Sequence, residues 1–138
     1  MKYALIGCGR IATNHIKAAL NNQLEIAAVC DIVPEHMDSL LKKHELENIS
    51  SIKKYVDYKT MIEEVQPALV SIATESGIHA EIALYCIEHG VNTIIEKPMA
   101  MSIKDANEII RLSEEKNVKS AHVIKIDLIL QYKNCAEL

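Results

Sequence analysis

The sequence predicts an α/β domain with a doubly wound parallel sheet, and three observations carry that prediction. An apolar strand, Ala4-Leu5-Ile6, runs directly into Gly7-Cys8-Gly9-Arg10-Ile11-Ala12, a G-x-G-x-x-A loop that opens a helical stretch. A second apolar strand, Glu25 to Cys30, closes on an acid, Asp31. Strand and helix patterns then alternate along the chain, which is the pattern of a parallel sheet covered on both faces.

Each element has a local reason. Tyr3 to Ile6 reads as the first strand and Arg10 to Asn21 as the first helix, with Ile11, His15, Ala18 and Ala19 toward one face. After the strand ending at Asp31, Pro34 opens a helix through about His44, because proline suits the first helical turn. Lys54 to Val56 is a short third strand, and Thr60 to Val65 a short helix stopped by Pro67. Leu69 to Ala73 is a continuous apolar strand. Ile78 to His89 is the next helix, ended by Gly90, and Val91 to Glu96 is the fifth strand. Ser102-Ile103-Lys104-Asp105 has the capping-box form and starts a helix to about Lys116. Its apolar positions Ile103, Ala106, Ile109, Ile110 and Leu112 are read as one face. Ile124, Ile126, Leu128 and Leu130 alternate with polar residues, so the tail is expected to supply or extend strand six. Right-handed crossovers then favour the order 3-2-1-4-5-6 in a single domain.

The glycine loop has a chemical reading. Gly7 permits the tight turn off the strand, Gly9 lets a pyrophosphate approach the backbone, and Ala12 lets the helix pack closely. The helix N-terminus offers free N–H groups and a positive dipole end. Asp31 is placed to accept hydrogen bonds from ribose hydroxyls. Gly7, Gly9, Arg10, Ile11, Ala12 and Asp31 are therefore candidate cofactor-binding positions. Ala73 and Thr74 join them at the carboxyl edge of strand four, where ligands bind in open α/β sheets. No arginine follows Asp31 in Ile32-Val33-Pro34, which favours NAD over NADP. Two other readings stay open: a purely structural turn, and a methyltransferase that binds S-adenosylmethionine through a similar loop and acid.

Bulk properties narrow the class. The 138 residues suffice for one domain with a real core. With 49% hydrophobic and 25% charged residues the chain has an ordinary globular balance, and no apolar run is long enough to cross a bilayer. A net charge of −4 argues against nucleic acid as the main partner, and no signal segment opens the chain. Cys8, Cys30, Cys86 and Cys135 form no C-x-x-C and no zinc-like spacing with histidine, so free thiols in a reducing cytoplasm are expected and no metal is assigned. With no Phe or Trp, the core must be aliphatic.

At the fifth strand the chain reaches Glu96-Lys97-Pro98. Together with Gly7 to Ala12 and Ala73-Thr74-Glu75, this resembles the Gfo/Idh/MocA family of NAD(P)-dependent sugar oxidoreductases over about residues 1 to 120. The stretch from Thr74 to Ser102 is similar to the subgroup that oxidises UDP-linked N-acetylated hexuronic acids at C3. The resemblance implies a Rossmann domain and hydride transfer between a sugar carbinol carbon and the nicotinamide C4. It implies that Lys97, as a partly buried ammonium beside the nicotinamide ring, is the catalytic proton-transfer group, working with a histidine of a second domain, with a surface lysine after the strand as the alternative. Pro98 disfavours the helical region at Lys97 and makes a cis bond accessible. Glu96 is implied to lie near the nicotinamide ribose, with strand-end capping or pairing to a lysine as the alternative. Thr74 contacts the cofactor or caps the next helix. Many family members carry proline where this chain has Glu75, which leaves the loop geometry open. His79 and His15 are read as local packing or capping, with lining of the cofactor cleft left open for His15.

Members of that family are more than twice as long, and their second half supplies the sugar or nucleotide-sugar pocket and much of the subunit interface. The tail, residues 121 to 138, departs from the family pattern. Back-translated and read in a shifted frame, it permits Thr-Cys-His-Gln-Asn-Arg-Phe-Asn-Leu-Ala-Val-Gln, close to what the subgroup carries there. The expectation is one lost nucleotide near the Ala121 codon, a truncated product with little or no turnover, and self-association through apolar surface normally covered. A non-catalytic NAD-binding module is the other functional reading.

Overall fold

The computed structural model describes residues 1–122. Six strands form one parallel sheet in the order β3-β2-β1-β4-β5-β6, as expected. The strands are β1 (Lys2–Ile6), β2 (Glu25–Cys30), β3 (Lys53–Tyr55), β4 (Leu69–Ile72), β5 (Asn92–Ile95) and β6 (Ser120–His122). The helices are α1 (Ala12–Asn21), α2 (Pro34–Lys43), α3 (Tyr58–Val65), α4 (His79–Glu88) and α5 (Ile103–Lys116), and a short 3₁₀ turn, Ser76–Ile78, precedes α4.

Alternation along β1 sorts the core into two layers. Tyr3 and Leu5 point to the side covered by α1 and α2, where Ile16, Met37, Leu40 and Leu41 pack. Ala4 and Ile6 point to the other side, against Ile62, Ile82, Cys86 and Ile109 of α3, α4 and α5. The core is aliphatic apart from fully buried Tyr3.

Several boundaries differ from the sequence reading, each for a visible reason. The first helix begins at Ala12 rather than Arg10, because the Gly9 carbonyl accepts the Ala12 N–H (3.1 Å) and closes a turn first. Ile11, read on the helix's inner face, lies outside the helix and is 43% exposed. The third helix starts at Tyr58, two residues early, because Asp57 is its N-cap: the carboxylate accepts Lys59 N–H (3.2 Å) and Thr60 Oγ1 (2.8 Å). Ser102 caps α5 as expected, accepting the Asp105 N–H at 3.1 Å. The α5 face is corrected. Ile109, Leu112 and Ser113 are buried, whereas Ile103 and Ile110 are 81% and 50% exposed. Ile103 and Ile110 lie two turns apart on their own azimuth, a second apolar stripe that the packed face does not use. Strand six begins at Ser120, and the alternating stretch from Ile124 to Leu130 lies outside the described residues.

Candidate cofactor site at the carboxyl edge of the sheet

Register alone assembles the site. Ile6 is paired with Cys30 on one side and Ile72 on the other, and Ile72 is paired with Ile95. The residues that follow, Gly7, Asp31, Ala73 and Glu96, therefore form one row along the edge where the strand order reverses. Backbone bonds carry the ladder past the strand ends: Gly7 N–H to Cys30 O (2.8 Å), Ala73 N–H to Ile6 O (2.7 Å) and Glu96 N–H to Ile72 O (2.9 Å).

Gly7 has φ +96°, and a Cβ there would lie 2.5 Å from both the carbonyl carbon and oxygen of Ala73. The turn off β1 thus needs glycine twice, for its backbone angle and for the close passage of the chain leaving β4. The second requirement is invisible in the sequence. A Cβ on Gly9, by contrast, would meet nothing within 4 Å. Gly9 faces open space beside the start of α1, so a glycine there leaves the backbone approachable by a ligand. Ala12 is fully buried under this turn. Arg10 and Ile11 are exposed just beyond it.

Asp31 fastens the loop. Its carboxylate accepts the Cys8 N–H and the Val33 N–H, both at 2.8 Å, and His36 Nδ1 lies 3.3 Å from its oxygens. His36 was not singled out in the sequence reading; its place on the first turn of α2, five residues past Asp31, is the signal that could have found it. A carboxylate has about four acceptor positions, so these bonds leave room for a further donor. Between this corner and the end of β4 lies a cleft of about 330 Å³, walled by Gly7, Gly9, Asp31, Val56, Thr74 and Ile82. The apolar wall contributed by Val56 and Ile82 also lay beyond the sequence reading. Thr74 Oγ1 donates to the Glu75 carbonyl at 3.3 Å and caps no helix.

The Glu96-Lys97-Pro98 turn is adjacent, with a cis Lys97–Pro98 bond. Among the described residues no lysine side chain pairs with Glu96, whose carboxyl turns toward α1. Its Oε1 accepts from His15 Nε2 at 2.8 Å, and His15 is fully buried on α1. That bond, opposed by burial and reinforced by the His15 charge, the Lys97 N–H and His79, holds the Glu96 carboxyl below its ordinary range. His79, at the first position of α4 and 1% exposed, sets Nδ1 2.8 Å from the Pro98 carbonyl oxygen and Nε2 2.8 Å from the Thr74 carbonyl oxygen. Lys97 is exposed, between a Glu96 side chain bonded to His15 and a Pro98 carbonyl bonded to His79. Cys8, Cys30 and Cys86 are buried free thiols; Cys135 lies outside the described residues. Among the described residues no helix is long and apolar enough to cross a membrane, and no group of three or more His, Cys, Asp or Glu could hold a metal ion.

An open glycine turn at a helix start, an acid closing β2 and a crevice at the strand-order reversal are the architecture of a nucleotide-binding Rossmann domain. Residues 1–124 match the family described as "Oxidoreductase family, NAD-binding Rossmann fold", and the chain belongs to this Gfo/Idh/MocA family. That membership removes the methyltransferase reading. Inositol 2-dehydrogenase of Salmonella typhimurium is 28% identical over 134 residues, covering 96% of this chain and 38% of that protein. Glycosyl hydrolase family 109 protein 1 of Bacteroides fragilis is 35% identical over 95 residues, covering 66% of this chain and 20% of that protein. Among solved structures, the WlbA dehydrogenase of Chromobacterium violaceum in complex with NADH and UDP-GlcNAcA superposes with a TM-score of 0.81 at 25% identity, over 97% of this chain and 38% of that one. The chain thus spans less than two-fifths of the length of each.

Proposed function

We propose that this chain is the NAD-binding part of a sugar or nucleotide-sugar dehydrogenase. The observation that carries the reading is the convergence of Gly7, Gly9, Asp31, Thr74 and the Glu96-Lys97-Pro98 turn on one sheet edge, with open space at Gly9. The fit to a dinucleotide is good: the open space lies at Gly9 in the turn that leads into α1, and the cleft beside Asp31 has an apolar wall for a base. Asp31 and the amides past Gly9 would hold the adenosine and diphosphate, and Thr74 and Glu96 the nicotinamide end. The acid at ribose height with no arginine beside it supports NAD over NADP. NAD, when bound, supplies the hydride acceptor for a carbinol carbon. Lys97 is the group of this chain that takes or returns the hydroxyl proton. A UDP-linked hexuronic acid is the finer substrate reading, supported by the Thr74 to Ser102 resemblance and the WlbA likeness.

The glycosyl hydrolase relative favours a second reading, in which the same nucleotide domain serves net bond cleavage rather than oxidation. Titration with NADH, NADPH and S-adenosylmethionine tests the nucleotide assignment. NADH must bind tightest; no NADH binding sinks it. The out-of-frame tail is proposed on the codon argument alone. Insertion of one base near the Ala121 codon must open a long reading frame, whose product then decides between NADH formation and sugar release.

A further inference from the structure

Two buried histidines lie where the loops at the ends of β4 and β5 meet, and the proposed chemistry gives neither a task. His79 is the better defined. Both of its ring nitrogens stand 2.8 Å from carbonyl oxygens, Thr74 in the loop after β4 and Pro98 in the turn after β5. The two loops are not otherwise joined by a hydrogen bond among those described. A carbonyl only accepts, so each contact needs a proton on the ring, and one imidazole serves two carbonyls together only with both nitrogens protonated. His79, at the first position of α4, is 1% exposed. His15 grips the same turn from the opposite side through Glu96 (2.8 Å).

We infer that His79 is a positioning residue, bridging Thr74 and Pro98 so that the loop after β4 and the lysine-bearing turn keep a fixed separation across the nicotinamide end of the cleft. The inference rests on the proposed NAD reading and adds to it the group that sets the spacing. Lys97 itself is exposed and its ammonium has no partner among the described residues, so its direction depends on the backbone on either side of it. The Pro98 carbonyl is the first backbone group after Lys97 that is tied to another element. Without the bridge, the two loops can separate while the glycine turn and Asp31 stay in place, since those are held by β1 and β2.

The test compares NADH with ADP-ribose on the 138-residue chain, because ADP-ribose reports the adenosine and diphosphate contacts without the nicotinamide. Wild type is expected to bind NADH more tightly than ADP-ribose. His79→Asn keeps one donor and His79→Phe keeps the ring volume with none. Both are expected to leave ADP-ribose affinity within about twofold while NADH affinity falls roughly five- to tenfold, Phe more than Asn, which corresponds to loss of one positioning bond. Equal loss for both ligands overturns the inference and makes His79 a packing residue. If neither variant folds, the wild-type ring resonances of His79 decide: a shift on adding NADH but not ADP-ribose supports the bridge, and no NADH-specific shift overturns it. Failure of wild type to bind ADP-ribose at all would instead break the nucleotide reading.

Discussion

The two halves of the sheet edge are held by different physics. On the β1–β2 side the chain makes its own site: a glycine with positive φ, main-chain N–H groups and one carboxylate that gathers Cys8 and Val33 amides. On the β4–β5 side the backbone is fastened by side chains from the flanking helices, His15 from α1 and His79 from α4. The first corner is therefore held by its own backbone and by one carboxylate that ties the β1 and β2 ends together. The second keeps its backbone ladder as far as Ala73 and Glu96, and beyond it depends on two imidazole rings staying bonded.

The sharpest way to break that contrast is at the two glycines. Gly7→Ala forces a Cβ to 2.5 Å from the Ala73 backbone at a φ that side chains avoid. Overpacking and backbone strain each cost about 1–3 kcal/mol, so urea unfolding should show roughly 2–6 kcal/mol lost. Gly9→Ala meets nothing and should change stability by no more than about 0.5 kcal/mol. It should still weaken NADH binding roughly tenfold, because the added methyl occupies the approach to the backbone. A Gly9→Ala variant as unstable as Gly7→Ala would mean that the turn, not ligand access, explains both residues.

Asp31→Ala comes next. It removes a largely buried carboxylate that receives two N–H bonds, and hydrogen bonds to charged groups are worth about 1.5–3 kcal/mol. We expect a loss of about 2–3 kcal/mol, partly recovered in Asp31→Asn, which keeps one acceptor oxygen. Full stability in the alanine variant, seen in the same urea titration, would show that the glycine corner holds itself without the acid.

The fold was legible because its signals are periodic and short-range: apolar runs, Pro34 and Ser102 as helix openers, Gly7 and Gly9 after β1. The glycine corner was legible for the same reason, since its parts follow one another or close the next strand. What escaped was long-range or geometric. Nothing in the sequence joins His15 to Glu96, which are brought together only once β5 lies two strands from β1, the strand that leads into α1. The exposure of Ile103 and Ile110 escaped because α5 carries more apolar positions than one face can bury.

The histidine-held side should also respond to acid. Glu96 titrates below its ordinary value in the folded chain, chiefly through the His15 bond. A carboxyl depressed on folding stabilises above its unfolded pKa, and that contribution fades as pH falls through the folded one. The melting temperature of the wild type should therefore decline on the acid side more steeply than that of Glu96→Gln, with the two curves converging at low pH. Parallel curves would mean that the pair contributes no pH-dependent stability.

The smallest effect concerns the thiols and separates the halves once more. Burial pushes Cys8, Cys30 and Cys86 each up to about 12, and the Asp31 charge adds to the effect at Cys8 and Cys30 but not at Cys86. Alkylation of the folded chain near neutral pH should be slow at all three, read peptide by peptide by mass. Asp31→Asn removes the charge and loosens the loop over Cys8, and both changes favour the thiolate or its exposure. The expected outcome is a few-fold faster modification at Cys8 and Cys30, with Cys86, on the buried face of α4, unchanged. Equal acceleration at all three would instead report global opening, and the independence of the two corners would be lost.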